Sequence, residues 1–346
     1  MAALLILLPI AGCSPNPSVD SRRAGSDSAV RRIVSLAPNI TEMLFALGLG
    51  DRVVGVTEFC NYPPEALRLP KVGGYANPNA EAILALRPDL VVATPNVGNR
   101  AFVERVMAVG ARVEVVQARN VEEIFPAIET IAKAAGVEAA GRDLIARIHA
   151  DLARQTARVA GSPRRRTLFC LQTEPLVVAG RGSYPGDLVE LAGGENMVPA
   201  SAGAYPSYSL EAVIAAAPET IIQSLMDTRA GTTGAKSLLA YWRRFGSIPA
   251  VAKRQVFTIP GDVVLRPGPR VAQGVAALIA LIHPEAPGGE KSESQGRDRV
   301  EADFQNSISR REVLEISQWT LVSFFEAPAR RPALRRQQHR RTRTLT

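Results

Sequence analysis

Short runs of branched apolar residues alternate along this chain with longer segments whose apolar residues recur every three or four positions. RRIVSLA from Arg31 and RVVGV from Arg52 have the character of strands, whereas ITEMLFALG from Ile40 has the period of a helix that Gly48 ends. Asn39 followed by Glu42 is typical of a capping box at the start of that helix. The alternation predicts an α/β protein with parallel, doubly wound sheets, and folded structure begins at Arg31.

Two segments 130 residues apart have nearly the same pattern. NAEAILALRPDLVVA covers Asn79–Ala93, and SLEAVIAAAPETIIQ covers Ser209–Gln223. Each opens on a residue that caps helices, continues through one short apolar helix, stops at a proline and enters a strand. A repeat of this length is too long for a solenoid and predicts two similar lobes.

The two repeats place an acid at the same position, Glu81 in the first and Glu211 in the second. A carboxylate in the first turn of a helix is favoured by the helix dipole, and this gives both acids a purely structural explanation. They are nevertheless matched charges on matched elements. Each predicted lobe therefore carries one carboxylate at an equivalent place.

A single long helix is predicted between the lobes, over residues 137–161. Leu144, Ile148, Leu152 and Val159 form one apolar stripe, and no proline or glycine cluster interrupts the pattern before Ser162. The second lobe restarts with RRTLFCL and closes with the helix PRVAQGVAALIALI. The predicted division is an N-terminal α/β lobe over 31–136, a connecting helix over 137–161 and a C-terminal α/β lobe over 162–286.

The two ends of the chain are predicted to lie outside the folded lobes. Residues 1–12 fit a signal peptide, because the apolar run from Ala2 to Ile10 is too short for a membrane span, although no Lys or Arg precedes that run. The string IAGC resembles a bacterial lipobox in which Cys13 is lipidated. Residues 13–30 are then a flexible lipidated tether. Residues 287–346 are expected to be a disordered basic tail.

Composition excludes several classes of function. The chain has 346 residues and a formal net charge of +8, but 12 Lys/Arg against 8 Asp/Glu from residue 287 onward supply half of that surplus. The body is therefore nearly balanced, and we expect no nucleic-acid partner, since a terminal arginine run is usually a solvated tail. Nucleotide-binding glycine motifs, GxSxG and HExxH are all absent from the sequence, which argues against an enzyme.

The ordered set of motifs resembles one protein family. The strings are IVSLAPNITEMLFALG, NYPPEA, KVGGYANPNAEAILALRPDLVVA, LVELAGGENMV, YPSYSLEAVIAAAPETII and RPGPRV. From Arg31 to Ala286 the chain is similar to the substrate-binding proteins of metal-chelate ABC importers, above all to the vitamin B12 (cobalamin) binders. The resemblance implies two Rossmann-like lobes joined by one long α-helix, with ligand in the cleft and modest closure.

The resemblance also implies roles for named residues. Glu81 and Glu211 would dock onto arginines of an ABC permease, which works with its ATPase, and Cys13 would anchor a periplasmic or extracytoplasmic lipoprotein. The ligand, most simply cobalamin, would be a transported solute rather than a prosthetic group. The expected ligand-binding residues are Phe59, Tyr62, Tyr75, Tyr205, Tyr208, Asp262 and Arg266. Tyrosine replaces tryptophan at two matched positions, and Val263 and Val264 stand where aromatics are expected.

Other ligands of the same fold stay open. A ferric siderophore would need cations, for which Arg100, Arg181, Arg266 and Arg270 are available, and haem would need an axial Tyr or His. Tyr184 is a further aromatic expected in a strand-end loop. We expect a monomer without a bound metal ion of its own. Cys60 and Cys170 are expected to be a cleft-loop thiol and a buried thiol rather than a disulfide.

Overall fold

The computed structural model describes residues 30–95, 100–108, 110–225 and 231–287. The predicted signal peptide, the lipidated Cys13, the tether up to residue 29 and the tail from residue 288 lie outside the described residues. No helix within these ranges is both long enough and apolar enough to cross a bilayer.

The N-terminal sheet contains four parallel strands in the order β2-β1-β3-β4. Its strands are β1 (Ile33–Ser35), β2 (Val53–Val56), β3 (Leu90–Ala93) and β4 (Arg112–Val115). Its helices are α1 (Pro38–Ala46), α2 (Ala80–Ala85), α3 (Arg100–Ala108) and α4 (Ile124–Ala135), with short 3-10 turns at Gly50–Arg52 and Pro64–Arg68. Helices α1 and α4 cover one face of the sheet, and α2 and α3 cover the other.

The predicted connecting helix is present as α5 (Glu138–Ala157). Leu144, Ile148 and Leu152 form its buried stripe. The helix ends four residues before the predicted boundary at 161, and Val159 remains buried in the turns that follow. One continuous helix therefore joins the two sheets.

The C-terminal sheet has five strands, with β6-β5-β8-β9 as its main order and β7 paired to the start of β5. Its strands are β5 (Arg165–Thr173), β6 (Leu176–Val178), β7 (Gly194–Asn196), β8 (Thr220–Leu225) and β9 (Val256–Pro260). Its helices are α6 (Tyr184–Leu191), α7 (Leu210–Ala216), α8 (Gly231–Arg243), α9 (Pro249–Ala252), α10 (Gly261–Val264) and α11 (Val271–Ile282), and a 3-10 turn covers Ala200–Ala202. Strand β6 is antiparallel, and the other pairings of this sheet are parallel.

The duplication predicted from the repeat is visible in the topology. The order β7-β5-β8-β9 corresponds strand for strand to β2-β1-β3-β4, with β6 as an addition. Asn79 and Ser209 cap α2 and α7 by accepting a backbone N–H three residues later. Arg87 and Ala217, which precede the matched prolines, both adopt the left-handed conformation, with φ of 43° and 46°.

The two lobes do not have separate hydrophobic cores. One large cluster includes Ile33 of the first sheet and Ile222 of the second, and α1, α4, α5, α6 and α11 contribute to it. Two smaller clusters lie under the outer helices of each sheet, around Ile83 in the first lobe and Trp242 in the second. The lobes therefore share their central core.

Candidate functional site

The candidate site lies where the carboxyl ends of the two sheets meet. The strands of the first sheet are parallel, so the loop after β2 leaves from the same edge as the residues after β3. Asp262 follows β9 at the equivalent edge of the second sheet. The amide Nδ2 of Asn61 donates to Oδ2 of Asp262 across 2.8 Å, which joins the two edges directly.

Two of the predicted aromatics of the first lobe lie together at this edge. The Phe59 ring lies beside Gly74, next to Tyr75. Tyr75 is half-buried and its hydroxyl accepts a hydrogen bond of 2.9 Å from the hydroxyl of Thr94, the residue after β3. Burial raises the pKa of Tyr75, and the bond from Thr94 opposes that shift in part.

The aromatics of the second lobe separate into different environments. Tyr205 packs against the central core, and burial raises its pKa to about 12, opposed by a hydrogen bond with the backbone of Tyr184. Tyr208 instead packs against the outer cluster that contains Trp242, so the structure does not group it with Tyr205. The expectation for Tyr184 was wrong, because this side chain is 1% exposed as the first residue of α6 and contributes to the core.

A buried ion pair crosses between the lobes below these loops. The carboxylate of Glu42, on α1, accepts hydrogen bonds from Nε and Nη2 of Arg270 at 2.8 and 2.5 Å. Glu42 is 2% exposed and Arg270 13%. Burial lowers the pKa of Arg270, but the hydrogen bonds and charge of Glu42 outweigh it, and the pKa is raised overall. The capping-box interpretation was therefore wrong: α1 begins after Ala37 without a side-chain cap, and Glu42 pairs across the lobes.

Arg266 extends this pair into a network at the interlobe edge. Its Nη2 lies 2.7 Å from Oδ1 of Asp262, and its Nη1 lies 2.6 Å from Oδ1 of Asn61 and 3.5 Å from the carboxylate of Glu42. The exposed ring of Tyr62 lies under the guanidinium of Arg270, 4.0 Å from ring centroid to Cζ. We call Glu42, Asn61, Asp262, Arg266 and Arg270 the cleft floor. Its two carboxylates and two guanidinium groups balance in charge.

The matched acids Glu81 and Glu211 are both exposed, at the starts of α2 and α7. Glu81 is held by Arg105 through a 2.6 Å ion pair, and this hydrogen bond lowers its pKa. The pKa of Glu211 is lowered by its helix-start backbone N–H and then by Ser209. The two positions are thus equivalent in the fold but differ in their partners.

Comparison with known proteins identifies the fold as that of a known family. Residues 33–263 match the family described as "Periplasmic binding protein". The chain belongs to this family. It is accordingly a solute-binding protein and not an enzyme.

This periplasmic binding protein is similar to relatives whose ligands differ. A vitamin B12-binding protein of Vibrio cholerae serotype O1 is 30% identical over 252 residues, which cover 72% of this chain and 88% of the relative. The solved vitamin B12 binding protein BtuF of Vibrio cholerae is 28% identical with a TM-score of 0.61, covering 73% of this chain and 97% of that one. The periplasmic heme-binding protein BhuT, solved with two hemes, is 32% identical with a TM-score of 0.64 over 72% and 97% of the respective chains.

The thiols and histidines of this periplasmic binding protein do not form a metal centre in the part of the chain described. No group of three or more His, Cys, Asp or Glu there is arranged to hold a metal ion. Cys60 and Cys170 are free. Cys60 lies in the loop after β2, as expected, but its side chain is only 1% exposed, with its sulfur 3.1 Å from the hydroxyls of Thr41 and Thr57.

The two histidines within the described ranges have structural partners. His149 stacks on Phe125, with 4.1 Å between ring centroids, where α5 packs on α4. His283 is buried after α11, with its ring nitrogens near the carboxylate of Glu285 and the carbonyl of Gly193. Neither lies in the cleft floor.

A surface cavity of about 370 Å³ opens elsewhere, between the end of α5 and the end of α6. Thr156, Arg164 and Glu190 are among the residues that line it. None of the predicted ligand-binding residues borders this cavity, so it is not part of the candidate site.

Sequence reasoning did not predict that Glu42 and Asn61 belong to the cleft floor, nor that Arg270 is paired with Glu42. The sequence did contain one sign that Glu42 is buried. It lies within the apolar segment of α1, where a helix presents no polar face to solvent. The identity of its partner, 228 residues away, is not encoded in any local pattern.

Proposed function

We propose that this protein is the substrate-binding component of an ABC importer that captures cobalamin in the interlobe cleft and delivers it to the permease. Its relatives bind vitamin B12 or haem, and both ligands are large metal chelates. The preference for cobalamin rests on the neutrality of the cleft floor.

Two of the arginines that an anionic chelate would need are already engaged. Arg270 is bound to Glu42, and Arg266 is bound to Asp262 and Asn61. A ferric siderophore rich in carboxylates or catecholates would have to compete with these carboxylates. Of the remaining candidates, Arg181 is exposed before α6, and the side chain of Arg100 lies outside the described residues. A ligand with amide groups can use the same floor without displacing an ion pair.

Aromatic surfaces beside the floor suit a flat macrocycle. Phe59 and Tyr75 from the first lobe are partly exposed at the meeting edges, and Tyr205 from the second lobe is partly exposed and packs against the shared core. All three rings supply apolar contact, and the hydroxyl groups of the two tyrosines can supply polar contacts at the rim. We propose that these three residues contact the ligand together with Tyr62, Asp262 and Arg266, and that Tyr208 acts through packing of the loop.

Haem is the second candidate, because a haem-binding structure is among the relatives. A tyrosine that ligates ferric haem does so as the phenolate. Burial raises the pKa of Tyr75 and raises that of Tyr205 to about 12, which disfavours the phenolate in both. These two tyrosines are therefore better suited to contact a ligand as neutral phenols than to bind the iron of haem.

Docking and anchoring complete the proposal. The exposed Glu81 and Glu211 sit at equivalent places on the two lobes, as a permease with two-fold symmetry requires. The protein would act as a monomer held to the membrane, on its outer side, by a lipid on Cys13. The small-residue string before Cys13 supports that anchor.

The test is a comparative titration of the full chain, with Cys13 replaced by serine to prevent lipidation. Cobalamin, haem and a ferric siderophore are titrated separately, and binding is followed by visible absorbance and calorimetry. We expect saturable one-to-one binding of cobalamin at least tenfold tighter than binding of haem or siderophore. Tighter binding of haem would replace the proposal with the second candidate, and binding of none of the three would refute it.

A further inference from the structure

We propose that Glu42 sets ligand selectivity: its buried carboxylate cancels the charge of Arg270, so the cleft floor accepts amide-bearing macrocycles and rejects those with free carboxylates. This inference rests on the proposed function and deepens it. Glu42 acts through the arginines rather than by touching the ligand, so it is a positioning residue.

Contacts of Glu42 reach both guanidinium groups of the floor. Its carboxylate is bonded to Nε and Nη2 of Arg270, and Oε1 also lies 3.5 Å from Nη1 of Arg266. Because Glu42 is 2% exposed, no bulk water screens these charges from each other. Removing the negative charge would leave Arg270 without a paired carboxylate, so the floor would attract an anion from the cleft.

The order of exposure within the floor supports discrimination against anions. Asp262 is 31% exposed, whereas the side chains of Arg266, Arg270 and Glu42 are 16%, 13% and 2% exposed. The charged group nearest solvent is therefore a carboxylate, which repels an incoming carboxylate. The ring of Tyr62 covers one face of the Arg270 guanidinium and limits access to it further.

Groups that face the pair from neighbouring elements do not change this balance. The buried hydroxyl of Tyr184, on α6, interacts electrostatically with both Glu42 and Arg270. It has no hydrogen-bond partner in the described structure. The Asp262 carbonyl of α10 accepts from Nη2 of Arg270 at 3.1 Å. Both are uncharged dipoles, and the Asp262 carboxylate acts on Arg270 less than Glu42 does, so Glu42 supplies the main compensating charge of Arg270.

The ligand classes differ in the property that this floor would sense. The corrin ring of cobalamin carries carboxamides at its edge, whereas haem carries two propionates. Two matched pairs of probes isolate that difference from shape. Cobalamin is compared with a cobalamin monocarboxylic acid, in which one amide is hydrolysed, and haem is compared with its dimethyl ester.

The experiment is a series of charge-neutralising substitutions in the full chain. Glu42→Gln makes the floor net positive, Arg270→Gln makes it net negative, and the double variant restores neutrality. For each protein we measure the ratio of the affinities for the uncharged and the acidic member of a pair. Ratios cancel any uniform loss of binding, and melting curves show that each variant is folded.

We expect the wild-type chain to prefer the uncharged probe by roughly tenfold, since one partly screened charge contact is of that order. Glu42→Gln should abolish or invert this preference, Arg270→Gln should increase it, and the double variant should return it to the wild-type ratio. An unchanged ratio in Glu42→Gln, or a double variant that behaves like Glu42→Gln, would overturn the proposal. If Glu42→Gln does not fold, the difference between Arg270→Gln and the double variant carries the same test.

Failure of this inference is distinguishable from failure of the proposed function. A wild-type chain that binds no corrin refutes the cobalamin assignment, yet the haem pair still measures the charge preference of the floor. If the protein binds cobalamin but substitution of Glu42 does not change the affinity ratios for the probe pairs, the proposed function stands and the selectivity mechanism is refuted.

Discussion

Replacing Glu42 with leucine would leave the Arg270 guanidinium in the interlobe core without its partner. The carboxylate receives two charge-assisted hydrogen bonds, and removing one partner of a buried ion pair usually destabilises a protein by about 3–5 kcal/mol. Arg270 retains some contact with solvent, at 13% exposed, so we expect the lower end, about 3 kcal/mol. For a folded region of this size that loss corresponds to a melting temperature lower by roughly 6–12 °C.

The informative measurement is a double-mutant cycle with Glu42→Leu and Arg270→Met, followed by urea unfolding of the full chain with circular dichroism. Because an apolar pair of similar volume replaces a buried ion pair with little loss, the double variant should lie within about 1 kcal/mol of wild type. The coupling energy should then exceed about 2 kcal/mol.

The exposed pair Asp151 and Arg154 on α5 provides the matched control, since its side chains are 45% and 68% exposed. Its coupling should stay below about 0.5 kcal/mol. Additive losses at residues 42 and 270 would show that the two side chains do not depend on each other, and the reasoning about the cleft floor would be refuted.

Three further outcomes follow from the structure. In a permease-docking assay Glu211→Ala should weaken association more than Glu81→Ala, because an arginine of its own lobe already holds Glu81; equal effects would contradict this, and cobalamin affinity should be unchanged in both. Asp187, on α6, accepts a 3.0 Å hydrogen bond from the backbone N–H of Val121, and burial raises its pKa above the ordinary 3.8. The contribution of this raised pKa to stability is complete below 3.8 and is lost as pH rises through the folded pKa. Asp187→Asn should therefore be more stable than wild type at pH 7, with the difference vanishing in acid; a pH-independent difference in urea unfolding would argue otherwise. Gly73→Ala should lower the free energy of unfolding by about 1–2 kcal/mol, since φ is +93° and the new Cβ would lie 2.7 Å from the carbonyl of Asn77; unchanged urea stability would show that the loop relaxes.

Local patterns predicted the repeated unit well because its determinants are local. Asn79 and Ser209 cap their helices through bonds to residues three positions away, and the prolines that end the helices act on their immediate neighbours. The long helix α5 was equally accessible from its apolar stripe. The antiparallel β6 was not anticipated, since a three-residue strand after a tight turn has too few positions to show a period.

Long-range partners could not be predicted in the same way. Glu42 and Arg270 are 228 residues apart, and each has a plausible local explanation in sequence, a helix cap for one and an available cation for the other. Periodicity likewise shows that α1 and α11 each have an apolar face but does not show what covers it. For the same reason the loop position of Cys60 did not show that its sulfur is buried against Thr41 and Thr57.

The shared central core limits how this binding protein can be divided or exchanged. Helices of both lobes and the connecting helix bury one continuous apolar cluster between the two sheets. A chain divided after α4 would therefore give two products, each with an exposed apolar face. The two matching halves of the fold are thus mutually dependent. Recombination between related importers should therefore exchange the whole binding protein. One lobe does not match the apolar face of the other lobe when that lobe comes from a different importer.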